Sequence, residues 1–274
     1  MTTEPARRGA VKSADRTLRI LELLAGSDRR LSLGEISAEL SIPKSSLHGL
    51  LRTLRARDWV SADETGLRFG IGVRVLLVGM SFAAADDMVR LSDAVLDDLS
   101  ATLDETLHLG CLDGDQIVYV AKREASHRLR LISAVGVRLP AASTALGKAL
   151  LAERPPAEIE ALVPAQIPVL TPATITTRRQ LLLNLAEIRA NGYAVDNEES
   201  TSGVRCFAVA VGPKSPSSYA ISCSIPTARL DAKLEDRVVA ALLQARTRMA
   251  ERFSRASIGA SAAGVITAGP RQRG

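Results

Sequence analysis

Residues 32–60 read SLGEISAELSIPKSSLHGLLRTLRARDWV, and their reading decides the fold of the first part of the chain. Ser32 followed three residues later by Glu35 is a capping box, in which each side chain satisfies an otherwise orphan backbone N–H. Ile36 and Leu40 supply the inner face of the helix that follows. Ile42-Pro43 breaks the chain and restarts it, because proline disfavours helix in the residue before it and is tolerated at a helix start. The next helix presents Leu47, Leu50, Leu51 and Leu54 at i, i+3, i+4 and i+7. Lys44, Ser45, His48, Arg52 and Arg55 fall largely on its remaining surface.

Working outward, SADRTLRILELLAG before this stretch places Ala14, Leu18, Leu21 and Leu24 on roughly one helical face, closed by Gly26. After it, WVSADETGLRFG holds two extended pieces around the turn-forming DETG. Three helices and a hairpin make a winged helix-turn-helix over residues 13–70. Each helix is too short to be stable alone, so the three must share one leucine-rich core. That core accounts for the apolar residues and leaves the basic outer face without a packing purpose.

The bulk numbers bound the rest. The 274 residues suffice for two domains, and 46% hydrophobic content excludes disorder for most of the length. No apolar run is long enough for a membrane span, and the first residues have no apolar segment behind their charges, so no signal peptide is expected. Cys111, Cys206 and Cys223 are too few and scattered for a disulfide framework or a zinc site, which points to a cytoplasmic chain. The net charge of +5 fits a polyanionic partner without demanding one. It is unevenly placed: residues 1–60 hold eleven Arg and Lys against seven Asp and Glu, whereas residues 86–105 are predominantly acidic.

Residues 1–12 read as a flexible arm and residues 255–274, small and Gly-rich, as a disordered tail. Residues 71–102 carry a long helical pattern, first apolar enough to pack against a partner and then more solvated, and are taken as a linker. From residue 103 to 254 strands alternate with helices. Residues 106–112 and 116–121 flank Asp113-Gly114-Asp115, a strong hairpin signal. Further strands are expected at 193–196, 206–211 and 219–224, and helices at 144–153, 156–162, 177–191 and 230–253. This is an α+β domain around a mixed or antiparallel sheet.

The first turns of a helix in the major groove approach base edges, which is where Lys44, Ser45, Ser46 and His48 lie. Arg52 and Arg55 suit backbone contacts, and Arg68 on the hairpin an adjacent phosphate. The residues leave two other readings open: a protein-interaction module with a solvated basic face, and a small-molecule enzyme with an accessory helical domain. For the enzyme, there is no GxSxG elbow. Gly147-Lys148 is followed by Ala149 where a phosphate loop needs Ser or Thr, and Ala142 stands in place of that loop's first glycine. His48, His108 and His127 lack zinc spacing. A Cys206 nucleophile with His108 or His127 as base has no local motif behind it. No cofactor or metal is expected.

Residues 32–60 with the following ETGLRFGIGVRVLLVG resemble the winged-helix domain of the IclR family of bacterial transcriptional regulators. VGVRLPAASTALGKALLA (residues 135–152) and LAEIRANGYAVDNEESTSGVRCFAVAV (185–211) resemble that family's effector-binding domain closely. The likeness covers about residues 12–253. It implies an operator-binding homodimer or dimer of dimers with a small-molecule sensor of GAF-like architecture. Matched motif to motif, it implies an effector pocket formed by Ala145 and Leu146 at a helix start, Asp196, Cys206, Ser222 and Ser224. Ser222 and Ser224 share strand parity and point to one side. The effector expected is a small organic or aromatic acid. Two positions depart from the family: Gly49 where arginine is frequent, and Asp58 where glycine is common.

Overall fold

The computed structural model describes residues 11–131, 133–213 and 215–265. Of the arm expected at residues 1–12, residues 1–10 lie outside them and Lys12 already begins the first helix; of the tail expected at 255–274, residues 266–274 lie outside them. The chain divides into two compact units between Ala85 and Asp86.

In the first unit, α1 (Lys12–Ala25), α2 (Leu33–Leu40) and α3 (Lys44–Ala56) surround a core of Ile20, Leu24, Ile36, Leu40, Leu47, Leu51 and Leu54. The inner face of α1 is rotated from the expected one. Ile20 and Leu24 are buried, whereas Leu18 is 60% exposed. Apolar residues occupy more than one stripe of this helix, so periodicity alone does not select the stripe that meets α2. The capping box forms as read: Glu35 N donates to Ser32 Oγ and Ser32 N to Glu35 Oε2.

Three short strands complete the unit, β1 (Leu31–Ser32), β2 (Val60–Ala62) and β3 (Arg68–Ile71), in the order β1-β3-β2. Asp63 Oδ1 accepts the amides of Leu67 and Arg68 and thereby shapes the wing turn. Asp58 explains its own departure from glycine. It takes φ +59 after α3, where Asp58 N donates to Arg55 O and Trp59 N to Leu54 O. That is a Schellman ending, whose left-handed residue is usually glycine and which Asp tolerates better than most. α4 (Val73–Ala85) follows, with Leu76 and Met80 each 61% exposed.

The linker pattern of residues 71–102 is interrupted. Asp86 takes an extended backbone and accepts from Val89 N, so it caps a new helix, α5 (Asp87–Leu103). Far from being the more solvated continuation, α5 buries Val95, Leu96 and Leu99 in the second unit. Its acidic residues serve that packing: Asp93 and Asp97 pair with Arg123, and Asp98 with Arg248.

The second unit is built on β4 (Thr106–Asp113), β5 (Gln116–Arg123), β6 (Arg138–Pro140), β7 (Ala194–Asn197), β8 (Val204–Val211) and β9 (Tyr219–Pro226). They form one antiparallel sheet in the order β6-β5-β4-β9-β8-β7. The expected hairpin joins β4 to β5 through Gly114, at φ +62. α6 (Ala145–Ala152), α7 (Pro156–Leu162) and α8 (Arg178–Asn191) precede β7, and α9 (Ala232–Val265) closes the chain. α5 and α9 pack on each other and on the sheet, and α6 also packs on β8 and β9. Residues 255–265 of the expected disordered tail continue α9 as helix. A small, Gly-containing composition signals disorder, yet the alanine that recurs in it is also the best helix former.

Candidate functional site

The first unit gathers the expected nucleic-acid residues on one side of α3 and the wing. Lys44, Ser45, His48, Arg52, Arg55 and Arg68 are exposed, and Ser46 is half-buried. No acidic residue occupies the first turn of α3. His48, Arg52 and Arg55 line an open groove of about 640 Å³ against Gly66, Leu67 and Phe69 of the wing. Arg68 is partly engaged, donating to Arg30 O at 3.4 Å and lying 3.8 Å from Glu35 Oε2. Arg29 beside Glu35, with the Ser32 bonds of the capping box, holds that carboxyl down at about 2. Gly49 is open, with nothing within 4 Å of an added Cβ.

The second unit brings all six expected effector residues around one cavity of about 140 Å³. Register explains the convergence. Asp196 pairs with Cys206, Cys206 with Ser224, and Ser224 with Thr106, so these four form one row across four strands. Ser222 lies in the next row on the same face, between Ala208 and His108. Cross-strand neighbours share a face of the sheet.

α6 supplies the opposite wall, and two glycines set its approach. A Cβ on Gly147 would sit 2.1 Å from Ala141 O, so only glycine lets α6 start against the 3-10 turn Ala141–Ser143. A Cβ on Gly110 would meet Leu146 Cδ1 at 2.9 Å. Thr144 caps α6 by accepting from Gly147 N. The amides of Ala145 and Leu146 are those a helix leaves unpaired internally, and both residues line the cavity.

Sequence reading missed Tyr119, Ser133, Leu139 and Ser200, which also line it. Tyr119 arrives through a register shift: Leu109 pairs with Ala121 but Gly110 with Tyr119, which skips Val120 and turns Tyr119 to the side of His108. Their rings stack with centroids 4.1 Å apart. Such a shift has no sequence signature. Ser133 and Ser200 lie in irregular segments that only tertiary contacts bring to the cavity.

The electrostatics are those of a binding chamber. Asp196 is 1% exposed and accepts from Glu199 N at 2.7 Å, Ser200 N at 3.2 Å and Ser200 Oγ at 2.5 Å. Burial nonetheless pushes its carboxyl above the ordinary range. Burial, with Asp196 nearby, pushes the Cys206 thiol up to about 12, and its Sγ donates to Ser224 Oγ at 3.2 Å. A protonated thiol bonded to a serine is not an activated nucleophile. His108 is buried and held down at about 3, chiefly by desolvation and also by Lys122. Its Nε2 lies 2.7 Å from Ser133 Oγ. Among the described residues no cluster of three or more His, Cys, Asp and Glu could hold a metal ion. No helix among them is long and apolar enough to cross a membrane.

A winged helix with a basic exposed face, followed by a domain holding a small chamber lined by both polar and apolar side chains, defines the class of ligand-responsive DNA-binding regulators. The model of the IclR helix-turn-helix domain matches residues 13–64, and that of the bacterial transcriptional regulator IclR C-terminal domain matches residues 80–251. The chain belongs to the IclR family. It is a DNA-binding transcriptional regulator with an effector-binding domain. It is 35% identical to the HTH-type transcriptional regulator XynR of Escherichia coli over 81% of this chain and 88% of that one. To the E. coli regulator KdgR it is 33% identical, over 85% and 89%. Among solved structures it is similar to an IclR regulator of Alicyclobacillus acidocaldarius, with 26% identity, a TM-score of 0.80, and 89% and 99% coverage.

Proposed function

We propose that the chain binds an operator as a homodimer or dimer of dimers and that a small organic or aromatic acid in the 140 Å³ cavity modulates that binding. The observation that carries this reading is the convergence of Ala145, Leu146, Asp196, Cys206, Ser222 and Ser224 on a single chamber. A cavity of about 140 Å³ is close to the roughly 150 Å³ that takes up a benzene ring, which suits a small organic or aromatic acid. No Lys, Arg or His is among the described lining residues. A carboxylate would therefore meet the start of α6, where unpaired amides favour an anion. Asp196 accepts a hydrogen bond from a donor group at the other end of the ligand, and Leu146 and Leu139 supply apolar contact.

Lys44, Ser45, Ser46 and His48 read base edges, while Arg52, Arg55 and Arg68 contact phosphates. The exposed apolar side chains of α4, among them Leu76, Leu77, Met80 and Phe82, supply the seam between protomers. A symmetric pair then reads two half-sites. The chain acts by binding, without catalysing a reaction, and its operator places it in the cytoplasm. Ligand changes DNA affinity by binding one arrangement of the protein better than another.

The test is recovery of the endogenous ligand from purified protein, followed by titration of a selected DNA duplex with and without it. An acid that shifts the DNA dissociation constant supports the reading. A recovered ligand that leaves DNA affinity unchanged overturns it.

A further inference from the structure

The helix α1 holds a basic stripe that the recognition-face reading does not use. Lys12, Arg16 and Arg19 fall at i, i+4 and i+7, on one side of the helix. The contacts of the last two fix where that side faces. Arg19 Nη2 donates to Leu40 O at 3.3 Å, at the end of α2. Arg16 Nη1 donates to Ser46 Oγ at 3.1 Å, within the first turn of α3. The stripe therefore runs along the turn between α2 and α3 and joins the exposed Lys44 and Ser45.

The Arg16–Ser46 bond has two chemical consequences. A guanidinium carries five N–H donors in a rigid fork, and Ser46 uses one. The others remain for phosphate oxygens beside the recognition helix. Ser46 Oγ is used as an acceptor, while its own proton makes no bond among the described residues. Accepting from a cation polarises the hydroxyl as a donor and weakens its remaining lone pair as an acceptor. Of the major-groove edges, guanine N7 and O6, adenine N7 and thymine O4 accept, whereas cytosine N4 and adenine N6 donate.

We propose that α1 is part of the DNA interface: Arg16 contacts a phosphate flanking the α3 site and orients Ser46 toward donating its proton to an acceptor edge, which that bond favours over a donor edge. Arg16 is both a phosphate contact and the positioning residue for Ser46. The proposal rests on the assignment of α3 as the recognition helix.

The experiment selects a duplex from a randomised pool with the unmodified full chain. Binding of every single-base variant, and of a random duplex, is then measured at several salt concentrations. Arg16→Met keeps the aliphatic stem, Ser46→Ala leaves α1 intact, and Arg52→Ala controls for the recognition helix. Arg16→Met is expected to bind selected and random duplexes about tenfold more weakly and to lower the salt slope by about one per half-site. It should also relax discrimination at one base pair, the same pair that Ser46→Ala relaxes, so that a donor edge there becomes tolerated. An unchanged salt slope for Arg16→Met, or relaxation at a different pair from Ser46→Ala, overturns the proposal. If Arg52→Ala and Ser46→Ala also leave every duplex unaffected, the recognition-helix assignment falls and this proposal with it. Should Arg16→Met fail to fold, the Ser46→Ala profile decides: loss of preference for an acceptor edge supports the donor role, and preference for a donor edge in the unmodified chain overturns it.

Discussion

Lys148 Nζ donates to Glu199 Oε1 at 2.5 Å, with the two side chains 0% and 7% exposed. The pair ties α6 to the turn after β7, which carries the cavity residues Ser200 and Thr201. Removing one partner of a buried pair strands the other charge, at a cost of about 3–5 kcal/mol. Lys148→Met should therefore lose about that much in urea unfolding, and Lys148→Met with Glu199→Leu should recover most of it. A single variant as stable as the parent would show that the two charges are not buried together in solution.

His108 gives the stability a pH dependence of known sign. Burial holds its folded-state value down at about 3, below the ordinary 6.5 of an imidazole, so the unfolded chain binds one more proton between those limits. The contribution is complete above pH 6.5 and is lost as pH falls toward 3, with a slope of up to about 1.4 kcal/mol per unit. Unfolding free energies measured between pH 4.5 and 7 should fall less steeply with decreasing pH in His108→Gln than in the parent. Parallel curves would remove His108 as the cause.

Ser222 and Ser224 each offer a hydroxyl to the cavity. Replacing either with Ala should raise the effector dissociation constant about tenfold, or about 1.4 kcal/mol per lost buried bond. DNA affinity without effector should barely move. Calorimetry with the recovered ligand decides, and equal affinity in both variants would put the ligand elsewhere.

On the DNA side, Arg52 and His48 should separate. Arg52→Ala is expected to weaken selected and random duplexes alike and to reduce salt dependence, whereas His48→Ala should change preference among sequences. Competition binding against a panel of duplexes distinguishes the two. A uniform loss in both variants would make His48 a backbone contact.

Two glycines in helices should respond oppositely to the same substitution. Gly49→Ala adds a methyl to open space and should stabilise the first unit by about 1 kcal/mol through helix propensity. Gly147→Ala drives a Cβ to 2.1 Å from a backbone oxygen and should cost about 3 kcal/mol or more. Thermal unfolding of the two variants reads both signs.

Much of the molecule was legible in the chain because its signals are local. The capping box at Ser32, the break at Ile42-Pro43 and the Asp113-Gly114 hairpin depend on residues a few positions apart. Ser222 and Ser224 could be assigned to one side because strand parity is a local rule. The interruption at Asp86 is not legible: a helical pattern continues through it, and a side-chain cap competes with helix only in context. On α1, local periodicity offered several apolar stripes, and only packing against α2 and α3 chose Ile20 and Leu24.

By itself the sequence determined the two kinds of unit, the basic exposed face of the third helix and the membership of the six cavity residues, the last through resemblance to a family. Only the tertiary structure decided how those six meet. Their convergence depends on strand register between segments far apart in the chain, and on a skipped residue at Val120 that turns Tyr119 inward. It also decided that Lys148, which the sequence shows only as part of an incomplete phosphate-loop pattern, is sealed against Glu199. A charge enters the interior only when a partner from elsewhere in the fold is brought to it, and no local pattern records that meeting.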